Sequence, residues 1–103
     1  MEIIETPIFT RIIQSLIPDE LYRELQKTLV LRPDAGNVIT GSGGVRKLRW
    51  SIPGKGKRGG IRVIYYWYKS QRKILMLYAY SKSQQEDLTT EQLKALRNLL
   101  EED

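Results

Sequence analysis

Apolar residues recur along this chain with two different periods, and the switches between them divide it into three blocks. In the first block Ile8, Phe9, Ile12, Ile13 and Leu16 share one helical face, and Thr6 followed by Pro7 supplies an N-cap and a first-turn proline. Pro18-Asp19-Glu20 then opens a second helix, acidic at its start as the helix dipole favours. Leu21, Leu25 and Leu29 form its stripe, and Pro33 lies just beyond its end. Ahead of both helices, Ile3-Ile4 predicts a short strand. The second block alternates instead. Over residues 45–52, Leu48, Trp50 and Ile52 point one way, while Lys47, Arg49 and Ser51 point the other. Residues 61–68 and 73–80 are rich in β-branched and aromatic side chains, and Lys69-Ser70-Gln71-Arg72 joins them as a hairpin. The third block returns to helical spacing, with Leu93, Leu96, Leu99 and Leu100 on one side. Thr89 and Gln92 make a capping box, and Leu88 with Leu93 makes the hydrophobic staple around it.

The order β-α-α-β-β-β-α predicts an α+β fold: an antiparallel meander with an N-terminal helical hairpin and a C-terminal helix, the helices gathered on one face of the sheet. A length of 103 residues leaves room for one domain, residues 1–103, with a modest core. Hydrophobic residues at 41 % and charged residues at 28 % belong to a globular chain and not to a disordered one. No apolar run approaches the ~20 residues of a membrane span. The first residues lack the basic region and long apolar stretch of a secretory signal, so a cytoplasmic location is expected.

Two absences narrow the chemistry. The chain has no cysteine and no histidine, which removes disulfides, thiolate nucleophiles, zinc–thiolate sites and imidazole-based triads. The carboxylate clusters Asp19-Glu20, Glu86-Asp87 and Glu101-Glu102-Asp103 are explained by helix starts and helix surfaces, so neither a metal site nor a cofactor is expected. What remains is lysine, arginine, tyrosine and hydroxyls.

Charge is distributed unevenly. The net charge of +5 conceals a stretch, residues 35–85, with eleven basic residues and no acidic one, flanked by net −2 before it and −4 after it. Basic residues without neutralising carboxylates, interleaved with aromatics and glycines, point to a polyanion, and nucleic acid before a membrane surface. Gly54-Lys55-Gly56-Lys57-Arg58-Gly59 matches G-x-G-x-x-G, but a strand follows it where dinucleotide binding needs a helix. The run is then a basic loop able to approach a phosphate. Lys47 and Arg49 share a strand face, Arg62 heads the next strand with five rigid donors, and Lys82 follows the last strand. Arg46, Lys55, Lys57, Arg58 and Tyr80 complete a basic and stacking surface for RNA. The helices are not the basic elements, which argues against a DNA-reading factor. A non-catalytic RNA-binding module fits the same composition.

Three segments in order carry a resemblance to a known family: Gly43-Gly44-Val45-Arg46-Lys47-Leu48-Arg49-Trp50, then the run from Gly54 through Gly60-Ile61-Arg62-Val63-Ile64-Tyr65-Tyr66, then Tyr80-Ser81-Lys82-Ser83 with Asp87-Leu88-Thr89 downstream. Together they resemble the RelE/HigB superfamily of type II toxin–antitoxin toxins, nearest the HigB side, over essentially the whole chain. The resemblance implies a metal-independent mRNA endoribonuclease acting in the ribosomal A site, in which a ribose 2′-OH attacks the adjacent phosphate and translation stops. It places Lys47, Arg49, Arg62 and Lys82 in catalytic positions. No tyrosine occurs beyond Tyr80, so the family's C-terminal catalytic tyrosine is replaced by Tyr80 or its acid–base role falls to lysines. Lys47, crowded by Arg49 and Lys57, is then the candidate base, and Lys82 or Lys57 the proton donor to the leaving oxygen. The resemblance further implies a cognate antitoxin of the HigA-like helix-turn-helix type, which would be this chain's only link to DNA. An inactive member of the same fold is the remaining alternative.

Overall fold

The computed structural model describes residues 1–53 and 60–101. The basic loop with Lys55, Lys57 and Arg58, and the terminal Glu102 and Asp103, lie outside those residues. The elements are β1 (Glu2–Glu5), α1 (Pro7–Leu16), α2 (Asp19–Leu31), β2 (Asn37–Val38), β3 (Arg46–Trp50), β4 (Ile61–Tyr68), β5 (Lys73–Ser81) and α3 (Thr90–Glu101). They follow the predicted α+β order, with one addition. The two-residue β2 forms inside a segment whose glycines and polar residues read as loop, because its backbone pairs with Arg46 and Lys47 at the sheet's edge.

Local chemistry sets the helix boundaries. The Thr6 hydroxyl accepts from the Phe9 amide at 3.1 Å, and Pro7 follows at the first helical position. At α3 the capping box is closed in both directions, Gln92 N–H to Thr89 Oγ1 and Thr89 N–H to Gln92 Oε1, each 3.0 Å. The sheet has five strands in the order β1-β5-β4-β3-β2. Strands β3, β4 and β5 form the expected antiparallel meander. The first strand, β1, instead runs parallel to β5, so the sheet is mixed. Its two glutamates flank Ile3 and Ile4, and charged ends suit an edge strand that must not pair further.

The helices do not gather on one face. On one side, α1 and α2 bury Phe9, Ile13, Ile17, Leu25 and Leu29 against Leu48, Ile61, Val63, Tyr65, Ile74 and Met76. On the other, Leu96 of α3 covers Val45, Ile64, Leu77 and Tyr80. The central strands are apolar on both faces, and each buried side chain of this size contributes roughly 1.5–3 kcal/mol by leaving water. A sheet with two apolar faces therefore needs two covers. The alternation of β5 is reset by a bulge: Ile64 pairs with Tyr78 while Tyr65 pairs with Met76, leaving Leu77 extra. The bulge turns Tyr78 and Tyr80 toward the α3 face.

Candidate functional site

Strand alternation builds the basic cluster. On β3, Leu48 and Trp50 enter the α1–α2 core, so Lys47 and Arg49 face the α3 side. The register then lays Arg49 opposite Arg62, and Arg62 opposite Tyr80. Lys47 stands two residues, ~6.6 Å of strand, from Arg49 on the same face. Like charges directly opposite on neighbouring strands are destabilising. Two facing arginines at the end of a sheet are therefore a candidate seat for an anion.

Two further contacts shape this end. Lys82 is exposed just past β5, and its backbone N–H donates to the Gly60 carbonyl at 3.1 Å, which ties it to the start of Arg62's strand. A Cβ added at Gly60 would lie 3.0 Å from the Trp50 carbonyl and 3.7 Å from an Arg62 guanidinium nitrogen. A side chain at position 60 would thus press on the β3 backbone beside Arg62. The Arg62 head otherwise bonds its neighbour's carbonyl, Ile61 O, at 3.3 Å.

Lys47 has a partner. Its Nζ lies 2.9 Å from Asp87 Oδ1, the one ion pair among the described residues. The hydrogen bond from Lys47 holds the Asp87 carboxyl below the usual carboxylate range against the opposing effect of burial, and the Lys47 charge, the Leu88 amide and the Arg49 charge act in the same direction as that bond. Asp87 belongs to the connection before α3, where Gln85 Nε2 donates to the Asp87 carbonyl at 2.8 Å and to Gln92 Oε1 at 3.0 Å. The cap that starts α3 therefore also places Asp87.

Tyr80 lies under this cluster and not on its surface. It is 2 % exposed, and its hydroxyl has no hydrogen-bond partner among the described residues. Burial pushes the phenol up to about 12; the Asp87 charge adds to the rise, and Arg62 and Arg49 oppose it. The same three charged groups that surround the seat are thus felt at the Tyr80 oxygen.

The residues predicted for the site separate into three groups. Lys47, Arg49, Arg62 and Tyr80 share one face and one end of the sheet, with Lys82 tied alongside. Arg46 points to the opposite face, where its guanidinium donates to Gly36 O at 2.7 Å and lies 5.9 Å from the Trp67 ring centroid. It braces the end of α2 to β3. Lys55, Lys57 and Arg58, and with them the crowding of Lys47 by Lys57, fall outside the described residues. Asp87 is the addition. It precedes the α3 cap, where dipole and solubility account for an acid in a sequence, so only its fold-back onto Lys47 distinguishes it. Its sequence signals are its place in the Asp87-Leu88-Thr89 segment of the family resemblance and its position as the second carboxylate after the acid-free stretch.

Chemically, the cluster supplies fixed positive charge, an ammonium held by a carboxylate, and a buried phenol. Among the described residues no group of three or more acidic side chains converges as metal ligands do. A family model, the RelE toxin of the RelE/RelB toxin–antitoxin system, matches residues 1–102.

Proposed function

Because the chain belongs to the RelE toxin family of toxin–antitoxin systems, we propose that it is a metal-independent endoribonuclease that cuts mRNA in the ribosomal A site and so stops translation. The observation that carries this reading is the cross-strand row Arg49–Arg62–Tyr80 with Lys47 beside it. A phosphodiester seated there meets two guanidiniums, and arginine's planar fork matches phosphate oxygens.

The reaction is intramolecular in the RNA. The ribose 2′-oxygen forms a bond to phosphorus while the bond from phosphorus to the 5′-oxygen breaks, leaving a 2′,3′-cyclic phosphate and a 5′-hydroxyl. Arg62 and Arg49 stabilise the charge that grows on the non-bridging oxygens, the electrostatic contribution that is usually largest in such sites. Lys47, leaving Asp87 and giving its own proton to solvent, accepts in its neutral form the 2′-hydroxyl proton, and Lys82 at the edge of the seat donates a proton to the leaving 5′-oxygen. Positioning of the 2′-oxygen in line with the leaving oxygen is left to the ribosome-held mRNA, so naked RNA is a poor substrate.

Family membership implies a cognate antitoxin; we place it in the helix-turn-helix, HigA-like class, and this chain then meets DNA only through it. No helix among the described residues is long and apolar enough to cross a membrane; acting on ribosome-held mRNA, the protein would work in the cytoplasm. The test is Arg62→Ala. Induced in bacteria, the parent arrests growth and yields codon-phased mRNA 5′ ends, while the variant folds and does neither. Phased cleavage by a folded Arg62→Ala protein overturns the assignment, and growth arrest without cleavage favours RNA binding alone.

A further inference from the structure

The acid-free stretch ends at Gln85, and the second carboxylate after it, Asp87, folds back onto the basic strands it follows. Three observations define what it does there. Its carboxylate takes the Lys47 ammonium at 2.9 Å. It is mostly solvent-exposed, 71 % at the side chain, so it sits over the cluster and not within the core. Below it the Tyr80 hydroxyl is buried, a donor for which the described residues supply no acceptor. A buried, unpaired hydroxyl is costly. Beside it, two arginines face each other across β3 and β4.

Taken together these are the features of an anion site whose counter-ion is part of the same chain. We propose that the Asp87 carboxylate is a built-in counter-anion that holds the substrate-phosphate seat in the empty protein and is displaced when a phosphodiester binds. The proposal rests on the RNA-cleaving reading above and names its substrate-exchange step. One monoanion leaves and another enters, so the net charge of the cluster of Lys47, Arg49 and Arg62 is the same before and after the exchange. Release is easy because Asp87 lies on a short exposed connection and not in α3 itself. The exchange frees the Lys47 ammonium for the incoming ribose phosphate.

The same geometry admits two other roles, which the test separates: a carboxylate that takes a proton from the 2′-hydroxyl, and a strut that merely holds Lys47 in place. The probe is a short 2′-O-methyl RNA, which cannot be cleaved because its attacking oxygen is blocked. It is titrated at low salt into the wild type, Asp87→Asn, Asp87→Glu and Arg62→Ala, with circular dichroism to establish folding. The expected result is that Asp87→Asn binds the probe roughly tenfold more tightly than the wild type, Asp87→Glu binds as the wild type does, and Arg62→Ala loses binding. In the wild type, saturation with the probe moves the Asp87 carboxyl carbon resonance and its titration back toward an ordinary aspartate, because Lys47 has left it.

A strut predicts weaker binding by Asp87→Asn, and a proton acceptor predicts unchanged binding with lost cleavage. Either result overturns the proposal, as does a resonance unmoved at saturation. If the wild type binds and Arg62→Ala does not, but Asp87→Asn gains nothing, the counter-anion fails and the RNA reading stands. If the wild type does not bind the probe at all, the counter-anion proposal fails, while the RNA-cleaving reading stands or falls on growth arrest and phased mRNA 5′ ends in the Arg62→Ala comparison.

Discussion

Two tyrosines show how the same side chain serves opposite ends. The Tyr65 hydroxyl is fully used: it accepts from the Gly36 amide at 2.8 Å and donates to the Pro33 carbonyl at 2.7 Å, pinning the turn after α2 to the centre of the sheet. Glycine is needed opposite it, since a Cβ at position 36 would approach the Tyr65 hydroxyl to 2.9 Å. Tyr65→Phe leaves a buried amide and carbonyl without their partner, and should cost ~1–3 kcal/mol in denaturant unfolding while leaving RNA cleavage intact. Tyr80 is the reverse case. Its hydroxyl has no partner among the described residues, so Tyr80→Phe is expected to stabilise the fold by ~1 kcal/mol, from relief of an unsatisfied polar atom, while lowering cleavage. A variant that loses stability in that comparison places a hidden acceptor at the hydroxyl. The sequence assigns Tyr80 to a stacking surface for RNA, and burial under the cluster is what the structure adds.

At the level of elements, the N-terminus of α3 is the piece on which the site depends without touching substrate. Gln92 Oε1 accepts from the Thr89 amide and from Gln85 Nε2, each at 3.0 Å, so the cap and the Asp87 connection are one network. Thr89→Ala should cost ~1 kcal/mol of stability through the lost cap. Gln92→Ala should cost at least as much and, because Gln85 loses its acceptor, also weaken the Lys47–Asp87 contact; the readout is the Asp87 carboxyl titration moving up toward the ordinary aspartate range. The capping box and staple were legible because they are local, fixed by residues three or four apart. The bulge in β5 was not. Whether Tyr80 faces α3 or the α1–α2 core depends on Leu77 being extra against Ile64, and this is a property of the pairing of two strands and not of either alone. The strand Lys73–Ser81 is apolar nearly throughout, so its own alternation carries no mark of the reset.

Over the whole molecule, buried phenols give the fold a defined alkaline limit. Tyr22, bonded to Glu5 at 2.6 Å, is raised chiefly by burial and then by that carboxylate; burial likewise raises Tyr65, and Tyr80 rises from 10.0 to about 12. A phenol whose folded value lies above its unfolded one contributes stability that is present below the unfolded value and is lost as pH climbs through the folded one. Thermal stability should therefore hold up to pH ~10 and fall steadily between pH ~10 and ~12, with tyrosinate absorbance appearing together with unfolding. Absorbance that rises fully before unfolding would place these phenols in water. Binding to RNA should follow the opposite logic of exposure: it rests on surface cations, and so should weaken steeply as salt is raised.

Local order was within reach of the residue pattern. Period, caps and proline positions predicted the helices and the meander, because the forces that set them act over a few residues. The acid-free stretch likewise placed the basic cluster on the middle strands, since composition along a strand survives folding unchanged. Tertiary structure alone decided that β1 closes the sheet in parallel, that α3 takes the second face, and that Arg46 braces a turn where Lys47, Arg49 and Arg62 meet. It also decided that Asp87, written in the acidic tail, belongs to the basic site. Each of these joins residues far apart in sequence, where register and packing, and not local preference, choose the partner.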